Sequence, residues 1–317
     1  MTAIGSTPLP IRNGVSPGSV VLPPGTWSSI LDFLAERFAS VDREEIAARM
    51  ERGDIVDEHG TKIHPHQGYR PHLRLYYYRE LPPEAPIPFK ETILYQDEQI
   101  VAVDKPHFLP VNPSGHYLQE TLLIRLIRRL GIDSLTPMHR LDRETAGVVL
   151  FTVQPAFRGI YQDLFRRQAI SKTYEAIAPY RADLNWPISR HTRLVRGHPF
   201  IRMRETTETE SGPANAFTHI EPSEIRSDGL LARYRLTPTS GKKHQLRVHM
   251  AALGIPIVND TLYPTLLTQQ AVEARGYQSP LQLLARSIAF TDPISGAARE
   301  FSSQQRLTLN LNAHVPT

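Results

Sequence analysis

Apolar positions along the chain switch between two periods, and the switches mark its elements. After Thr26, residues Trp27, Ile30, Leu31, Leu34 and Phe38 fall at helical spacing. A second helix is expected to start at Asp42, with Glu45 as its capping partner, and to run through Ile46 and Met50 to a stop at Gly53. Residues 54–63 read as strand, turn, strand, and residues 73–79 as a further strand. Leu81-Pro82-Pro83-Glu84-Ala85-Pro86-Ile87-Pro88 follows, a composition expected to be stiff and extended and to space two domains. Beyond it, residues 93–95 and 99–103 flank Gln96-Asp97-Glu98 as a hairpin. Leu122, Leu123, Leu126, Ile127 and Leu130 make one apolar helix face, with Arg125, Arg128 and Arg129 largely off it. Val148 to Phe151 read as a buried strand, and Phe157, Ile160, Tyr161, Leu164 and Phe165 as an amphipathic helix whose Arg158, Arg166 and Arg167 could face phosphate.

Strands around residues 172–178, 216–220 and 231–238 then alternate with little helix between them. A doubly wound parallel sheet needs a crossover helix for every strand, so that architecture is excluded. The expected class is α+β: a mixed, mainly antiparallel central sheet flanked by helices and loops, preceded by a small N-terminal α+β module. The expected division is a flexible tail over 1–20, the module over 21–80, the proline-rich linker over 81–92 and the large domain over 93–317. Arg49-Met50-Glu51-Arg52-Gly53-Asp54-Ile55-Val56 resembles the core of the small RNA-binding module named for ribosomal small-subunit protein four. Glu44, Glu45, Glu51 and Asp54 dilute the basic face of such a module, so RNA binding and simple packing both stay open for it.

The densest chemistry lies just before the buried strand. Arg140, Asp142, Arg143 and Glu144 crowd together in Met-His-Arg-Leu-Asp-Arg-Glu-Thr-Ala-Gly-Val-Val-Leu-Phe-Thr, residues 138–152. A carboxylate beside a guanidinium stays ionised at neutral pH. Taken alone, Asp142 could equally be a structural ion pair with Arg140 or Arg143, Tyr174 a sheet aromatic and Arg247 an ordinary helix arginine.

Order and spacing change that reading. His139-Arg140-Leu141-Asp142-Arg143-Glu144-Thr145-Ala146-Gly147 resembles the His-Arg-Leu-Asp-x-x-Thr-Ser-Gly signature of the RluA-type RNA pseudouridine synthases. Lys172-Thr173-Tyr174 resembles that family's Lys-x-Tyr motif. Gly241-Lys242-Lys243-His244-Gln245-Leu246-Arg247-Val248-His249 resembles its Gly-Arg-x-His-Gln-Ile-Arg-x-His block. The resemblance runs from about residue 93 to 293. Ala146 stands for the usual Ser and Lys242 for the usual Arg. Asn259-Asp260-Thr261-Leu262-Tyr263-Pro264 stands for Gly-Asp-x-x-Tyr-Gly, and Leu284 lacks the histidine often found before Ala285; these departures bear on RNA specificity or loop shape before chemistry.

The resemblance implies a pseudouridine synthase fold and the isomerisation of uridines in structured RNA, ribosomal or transfer. That reaction breaks the bond from sugar to uracil nitrogen, rotates the base and joins the sugar to carbon 5. It needs no metal and no redox cofactor, but it needs a nucleophile or charge stabiliser, a task an ionised carboxylate can perform. The resemblance makes Asp142 that carboxylate, Arg247 its partner and Tyr174 the ring against the target base. The base must be extruded, at a cost of a few kcal/mol, and Arg140 is the residue implied to fill the gap. Arg143, Lys172, Lys242, Lys243, His244 and Gln245 are the remaining candidates for RNA contact. Two other classes remain open: a catalytically inactive RNA-binding or ribosome-assembly factor on the same fold, and a hydrolase using Asp142 with Glu144.

Composition narrows the setting. The 317 residues carry a net charge of only +4, yet residues 121–204 hold 15 Lys and Arg against 6 Asp and Glu. That concentration of positive charge around the motifs suits a polyphosphate partner. With no cysteine, disulfides are excluded and a reducing, cytoplasmic setting is expected; His244 and His249, five apart, do not make a zinc pair. No apolar run approaches the roughly 18 residues of a membrane span, no secretory leader pattern is seen at the start, and a monomer is expected.

Overall fold

The computed structural model describes residues 8–12, 14–39, 41–78, 84–115, 117–207, 209–210 and 212–309. The chain forms two units, Met1–Ala85 with Gly115–Gln119, and Pro86–Ser114 with Glu120–Thr317.

In the first unit, β1 (Gly18–Val21), α1 (Ile30–Arg37), α2 (Arg43–Arg52), β2 (Ile55–Asp57) and β3 (Arg74–Tyr77) make two helices on an antiparallel sheet ordered β1-β3-β2. Leu22, Ile30, Leu34, Met50, Ile63 and Leu75 form its core. Three expectations are corrected here. Helix α1 starts at Ile30 and leaves Trp27 outside it, behind a full capping box, Ser29 Oγ accepting from Asp32 N at 3.1 Å and Asp32 accepting from Ser29 N at 3.0 Å. At α2, by contrast, Asp42 makes no side-chain cap, and Glu45 pairs with Arg49 at 2.9 Å. Third, residues 18–20, placed in a tail, form most of β1, and Leu9 is buried beside Val56 and Tyr78. Of the expected tail, residues 1–7 and 13 lie outside the described residues, as do residues 79–80 of the expected module and 81–83 of the linker.

The rest of the linker is not a free spacer. From Pro86 it belongs to the second unit: Ile87 is buried, its N–H donates to Glu120 at 2.9 Å, and Arg125 donates to the carbonyls of Ile87 and Phe89 at 2.8 and 2.6 Å. An arginine with two carbonyls and Glu120 to satisfy fixes this segment more firmly than proline stiffness would.

The second unit contains β4 (Thr92–Gln96), β5 (Ile100–Lys105), α3 (Leu122–Leu130), β6 (Thr136–Pro137), β7 (Ala146–Thr152), α4 (Arg158–Arg166), β8 (Ser171–Pro179), β9 (Ile188–Thr192), β10 (Leu194–Arg196), β11 (Met203–Glu205), β12 (Ala216–Ile225), β13 (Leu231–Pro238), α5 (Gln245–Ala252), α6 (Gln269–Arg275), β14 (Leu283–Thr291) and β15 (Ala298–Ser302). Its large sheet is ordered β4-β5-β7-β14-β8-β13-β12-β9, with β15 on β14 and β6 on β7, while β10 and β11 form a separate hairpin. Among the described residues every pairing is antiparallel except β7 with β14, so the sheet is mixed and mainly antiparallel.

That one parallel contact sets up the site. Ala285 on β14 is opposite Gly147 on one side and Tyr174 on the other, so β14 aligns the loop before β7 with the tyrosine of β8. Only glycine fits at 147: its φ is 114°, and a Cβ there would lie 2.2 Å from the Ala285 carbonyl oxygen. Strand β7 itself is buried throughout, the physical content of the apolar run that follows the acidic cluster.

Candidate active site

Residues 142–145 form a turn closed by Thr145 N donating to the Asp142 carbonyl at 3.1 Å. Beneath it lies Lys105, fully buried at the end of β5, donating to the carbonyls of Pro106 (3.0 Å), Leu109 (2.8 Å) and Arg143 (3.1 Å). Burial draws its pKa down to about 7, against the pull of Glu144 and Asp142, and three carbonyl acceptors use all three N–H bonds of an ammonium. His107 Nδ1 donates to the Glu144 carbonyl at 2.6 Å; burial lowers its pKa to about 4, so it is neutral at pH 7. His139, whose pKa burial lowers to about 3, accepts from Leu150 N through Nε2 at 3.1 Å and stacks on Phe165. The turn therefore rests on fixed, buried partners.

Helix α5 brings up the opposing charge. Its Leu246 and Met250 pack into the core with Ala176, Tyr234 and Leu283, which leaves Arg247 directed at the turn. The side chain of Arg247 is 1% exposed and meets three acids. Asp260 takes the fork, Nε to Oδ2 at 2.8 Å and Nη2 to Oδ1 at 2.6 Å, and the remaining Nη1 lies 3.5 Å from Asp142 and 4.0 Å from Glu144. Burial opposes the charge of Arg247, but these acids outweigh it and raise its pKa. Arg247 is thus placed beside Asp142 through its third nitrogen only, because Asp260 occupies its fork.

A cavity of about 350 Å³ opens on this cluster. Arg140, Asp142, Lys172, Tyr174, Lys242, Lys243, His244, Gln245 and Arg247 all line it, so three motifs separated by up to 105 residues converge. Arg143 is not among them; it turns to Glu144, Nε to Oε1 at 2.9 Å. Gln245 is buried and its amide is fully engaged within the protein, donating to Phe217 O and Thr218 Oγ1 and accepting from Ser240 Oγ and Lys242 N. His244, held at φ 55° just before α5, bonds the Tyr263 hydroxyl at 3.0 Å and places Nε2 3.8 Å from Asp142. Lys172 is drawn down in pKa by burial and donates to the Ser240 carbonyl at 2.9 Å, while Lys243 donates to Ile201 O at 3.0 Å and Arg140 is exposed.

The electrostatics separate the residues by role. Tyr174 has its pKa raised by burial and then by the charge on Asp142, so its phenol stays protonated through neutral pH. Glu144 is pushed up by burial, yet Arg143 and Arg247 prevail and hold it below its ordinary value. Two groups escaped the reading of the motifs: Asp260, seen only as part of a loop that departs from the family pattern, and Lys105, which lies just past the expected hairpin. Both left a signal. Asp260 and Tyr263 keep the Asp-x-x-Tyr spacing, and a lysine closing the apolar run 100–103 invites a buried partner. Among the described residues, no group of three or more His, Cys, Asp or Glu is placed to hold a metal ion, and no helix is long and apolar enough to cross a membrane.

The sheet thus gathers an acid, a tyrosine and an arginine beside the β7–β14 contact. The family profile described as RNA pseudouridylate synthase matches residues 99–252, a span containing all three motifs. An uncharacterised RNA pseudouridine synthase of Synechocystis is 29% identical over 236 residues, 74% of this chain and 79% of that protein. tRNA pseudouridine synthase C of Haemophilus ducreyi is 29% identical over 63% of this chain and 85% of its own length. The mitochondrial tRNA pseudouridine(32) synthase of Saccharomyces cerevisiae is 29% identical over 59% of this chain, but only 39% of its own length is matched. Human RNA pseudouridylate synthase domain containing 4 superposes with a TM-score of 0.52 at 25% identity, over 68% of this chain and 88% of that structure. The chain belongs to the RluA-type RNA pseudouridine synthases, enzymes that isomerise uridine within RNA.

Proposed function

We propose that Asp142 is the catalytic carboxylate and that the substrate is a specific uridine in structured ribosomal or transfer RNA. One observation carries the assignment: among the acids around Arg247, only Asp142 has a carboxylate that both lines the cavity and lacks a cationic partner closer than 3.5 Å. Its oxygens are available to the sugar or the ring while Arg247, itself fixed by Asp260, keeps the charge in place. A guanidinium oriented in advance has no reorganisation to undergo as charge moves during the reaction.

Tyr174 serves as the ring against the extruded uracil, and its protonated hydroxyl can donate a hydrogen bond. Arg140, exposed at the rim, is suited to the gap the base leaves, with Lys172 and Lys242 as phosphate partners. Transfer RNA is the favoured class, because relatives of this chain include enzymes named for tRNA. The two-carboxylate hydrolase loses support from Glu144: such chemistry requires one acid held protonated, and Glu144 is held in its ionised form. The inactive factor has no observation in its favour.

The test compares wild type and Asp142→Ala on ribosomal and transfer RNA from cells lacking this gene. Pseudouridine is read by chemical adduct formation and primer-extension stops. New stops are expected with wild type alone, a loss on the order of 10⁴-fold or more for the variant, with RNA binding and folding nearly unchanged. Substantial residual product would overturn the assignment.

A further inference from the structure

The hairpin of β10 and β11 carries at its tip Phe200, 79% exposed; Leu230, the next most exposed large apolar side chain described, is at 53%. A lone exposed apolar residue means little by itself, but the position of this one does. Next to it, the carbonyl of Ile201 accepts from Lys243, which lines the cavity. Arg202 donates to Pro264 O at 2.7 Å and lies over the Tyr263 ring. Met203 N donates to the Tyr263 hydroxyl at 2.7 Å, and that hydroxyl bonds His244, the neighbour of Asp142. The hairpin is therefore tied through its turn to the rim of the site, and the same turn carries an exposed aromatic ring. Arg196 on the same hairpin is exposed and has no acid within ion-pair distance among the described residues, unlike Arg190 and Arg204, which are engaged by Glu205 and Glu210.

We propose that this hairpin is a second contact for the substrate RNA, with Phe200 stacking on an unpaired base close to the extruded uridine and Arg196 meeting a neighbouring phosphate. Every base offers a face on which an aromatic ring can stack, and continuous duplex offers none. The hairpin thus selects targets with an unpaired nucleotide nearby. The proposal rests on RNA being the substrate and is independent of which residue performs the chemistry.

The experiment measures binding of a synthetic stem-loop RNA with uridines in its loop, and of the same sequence as a full duplex. The proteins are wild type, Phe200→Ala, Phe200→Trp and Arg196→Ala. Phe200→Ala is expected to weaken stem-loop binding about tenfold, to leave duplex binding and thermal stability unchanged, and to be rescued by Phe200→Trp. Arg196→Ala should lower the salt dependence of binding to the stem-loop. A 2-aminopurine in the loop should be quenched by wild type and not by Phe200→Ala. Stem-loop affinity and quenching equal to wild type would overturn the proposal, leaving Phe200 as a surface for another protein; so would equal losses on stem-loop and duplex.

Discussion

Arg247 and Arg299 meet the same electrostatic demand at two places in the large unit, and the two clusters meet it differently. Each guanidinium is withdrawn from water, with side chains 1% and 17% exposed, and each faces two aspartates. Around Arg299 both acids are saturated. Asp97 accepts from the backbone of Gln99 and Ile100 at 2.8 Å and from the Tyr95 hydroxyl at 2.9 Å, and Asp292 accepts from Ile294 N, Ser295 N and the Tyr161 hydroxyl. Around Arg247, Asp260 is treated the same way, with Leu262 N and Tyr263 N adding to the fork. Asp142 is not: no backbone N–H reaches its carboxylate among the described residues, and it faces a cavity. A saturated buried cluster specifies the fold; one acid left short of partners beside a cavity marks where chemistry can occur.

Removing an acid from each cluster should give the largest and most discriminating effects. Asp292→Ala and Asp260→Ala each leave a buried guanidinium short of a partner, which costs about 3–5 kcal/mol of stability. Thermal melts should show losses of that order for both. Turnover measured well below the melting point should survive in Asp292→Ala and collapse in Asp260→Ala, since only the latter frees Arg247 to swing onto Asp142. Equal turnover in the two variants would erase the distinction between structural and functional clusters.

Acid should separate the same regions at smaller cost. The site side contains four histidines whose pKa burial lowers, His139 to about 3, His107 and His249 to about 4, and His244 as well, whereas the Arg299 cluster is braced by Tyr95 and Tyr161. A histidine whose folded pKa lies below its unfolded value near 6.5 takes up its proton more readily when unfolded. Stability is therefore complete above about pH 6.5 and declines as pH falls toward 4, by up to about 3 kcal/mol for each histidine drawn down to about 4 or below. Asp97 and Asp292, also depressed against the opposing effect of burial, contribute stability that is present above their ordinary value of 3.8 and is lost only as pH falls below it. Melting curves from pH 7 to 4.5 should fall for wild type and less steeply for His139→Asn; identical slopes would shift the acid sensitivity away from the site.

What the sequence disclosed and what it hid follow one physical division. The strand at 148–151 and the helix faces at 122–130 and 157–165 rest on short-range periodicity, and the convergent motifs on their resemblance to a known family, so they were legible. The choice of partner is tertiary. Arg143 lies beside Asp142 in sequence yet turns to Glu144, and Asp260, 13 residues from Arg247, takes its fork. Similarly, β1 lies among prolines 17, 23 and 24 and exists because β3 pairs with it, and Ile87 is fixed by Arg125 from another element. The β9–β11 segment has strands of three to five residues rich in Arg and His, too short to print a pattern.

The smallest effect is expected where the two carboxylates of the motif loop are compared directly. Glu144 lies on the same Arg247 nitrogen as Asp142, but at 4.0 Å, and its closer contact is Arg143 at 2.9 Å, a pair with side chains 35% and 21% exposed. Water and salt screen such a pair, so Glu144→Gln should cost at most about 1 kcal/mol. The amide can still accept from Arg143, and Lys105 and His107 hold the turn through backbone carbonyls that the substitution leaves untouched. Pseudouridine formation should therefore stay within a few-fold of wild type, while Asp142→Asn, equally isosteric, abolishes it. Comparable losses in the two variants would mean that the reaction uses both carboxylates, and the contrast between a saturated acid and an unsaturated one would fail at the point where it matters most.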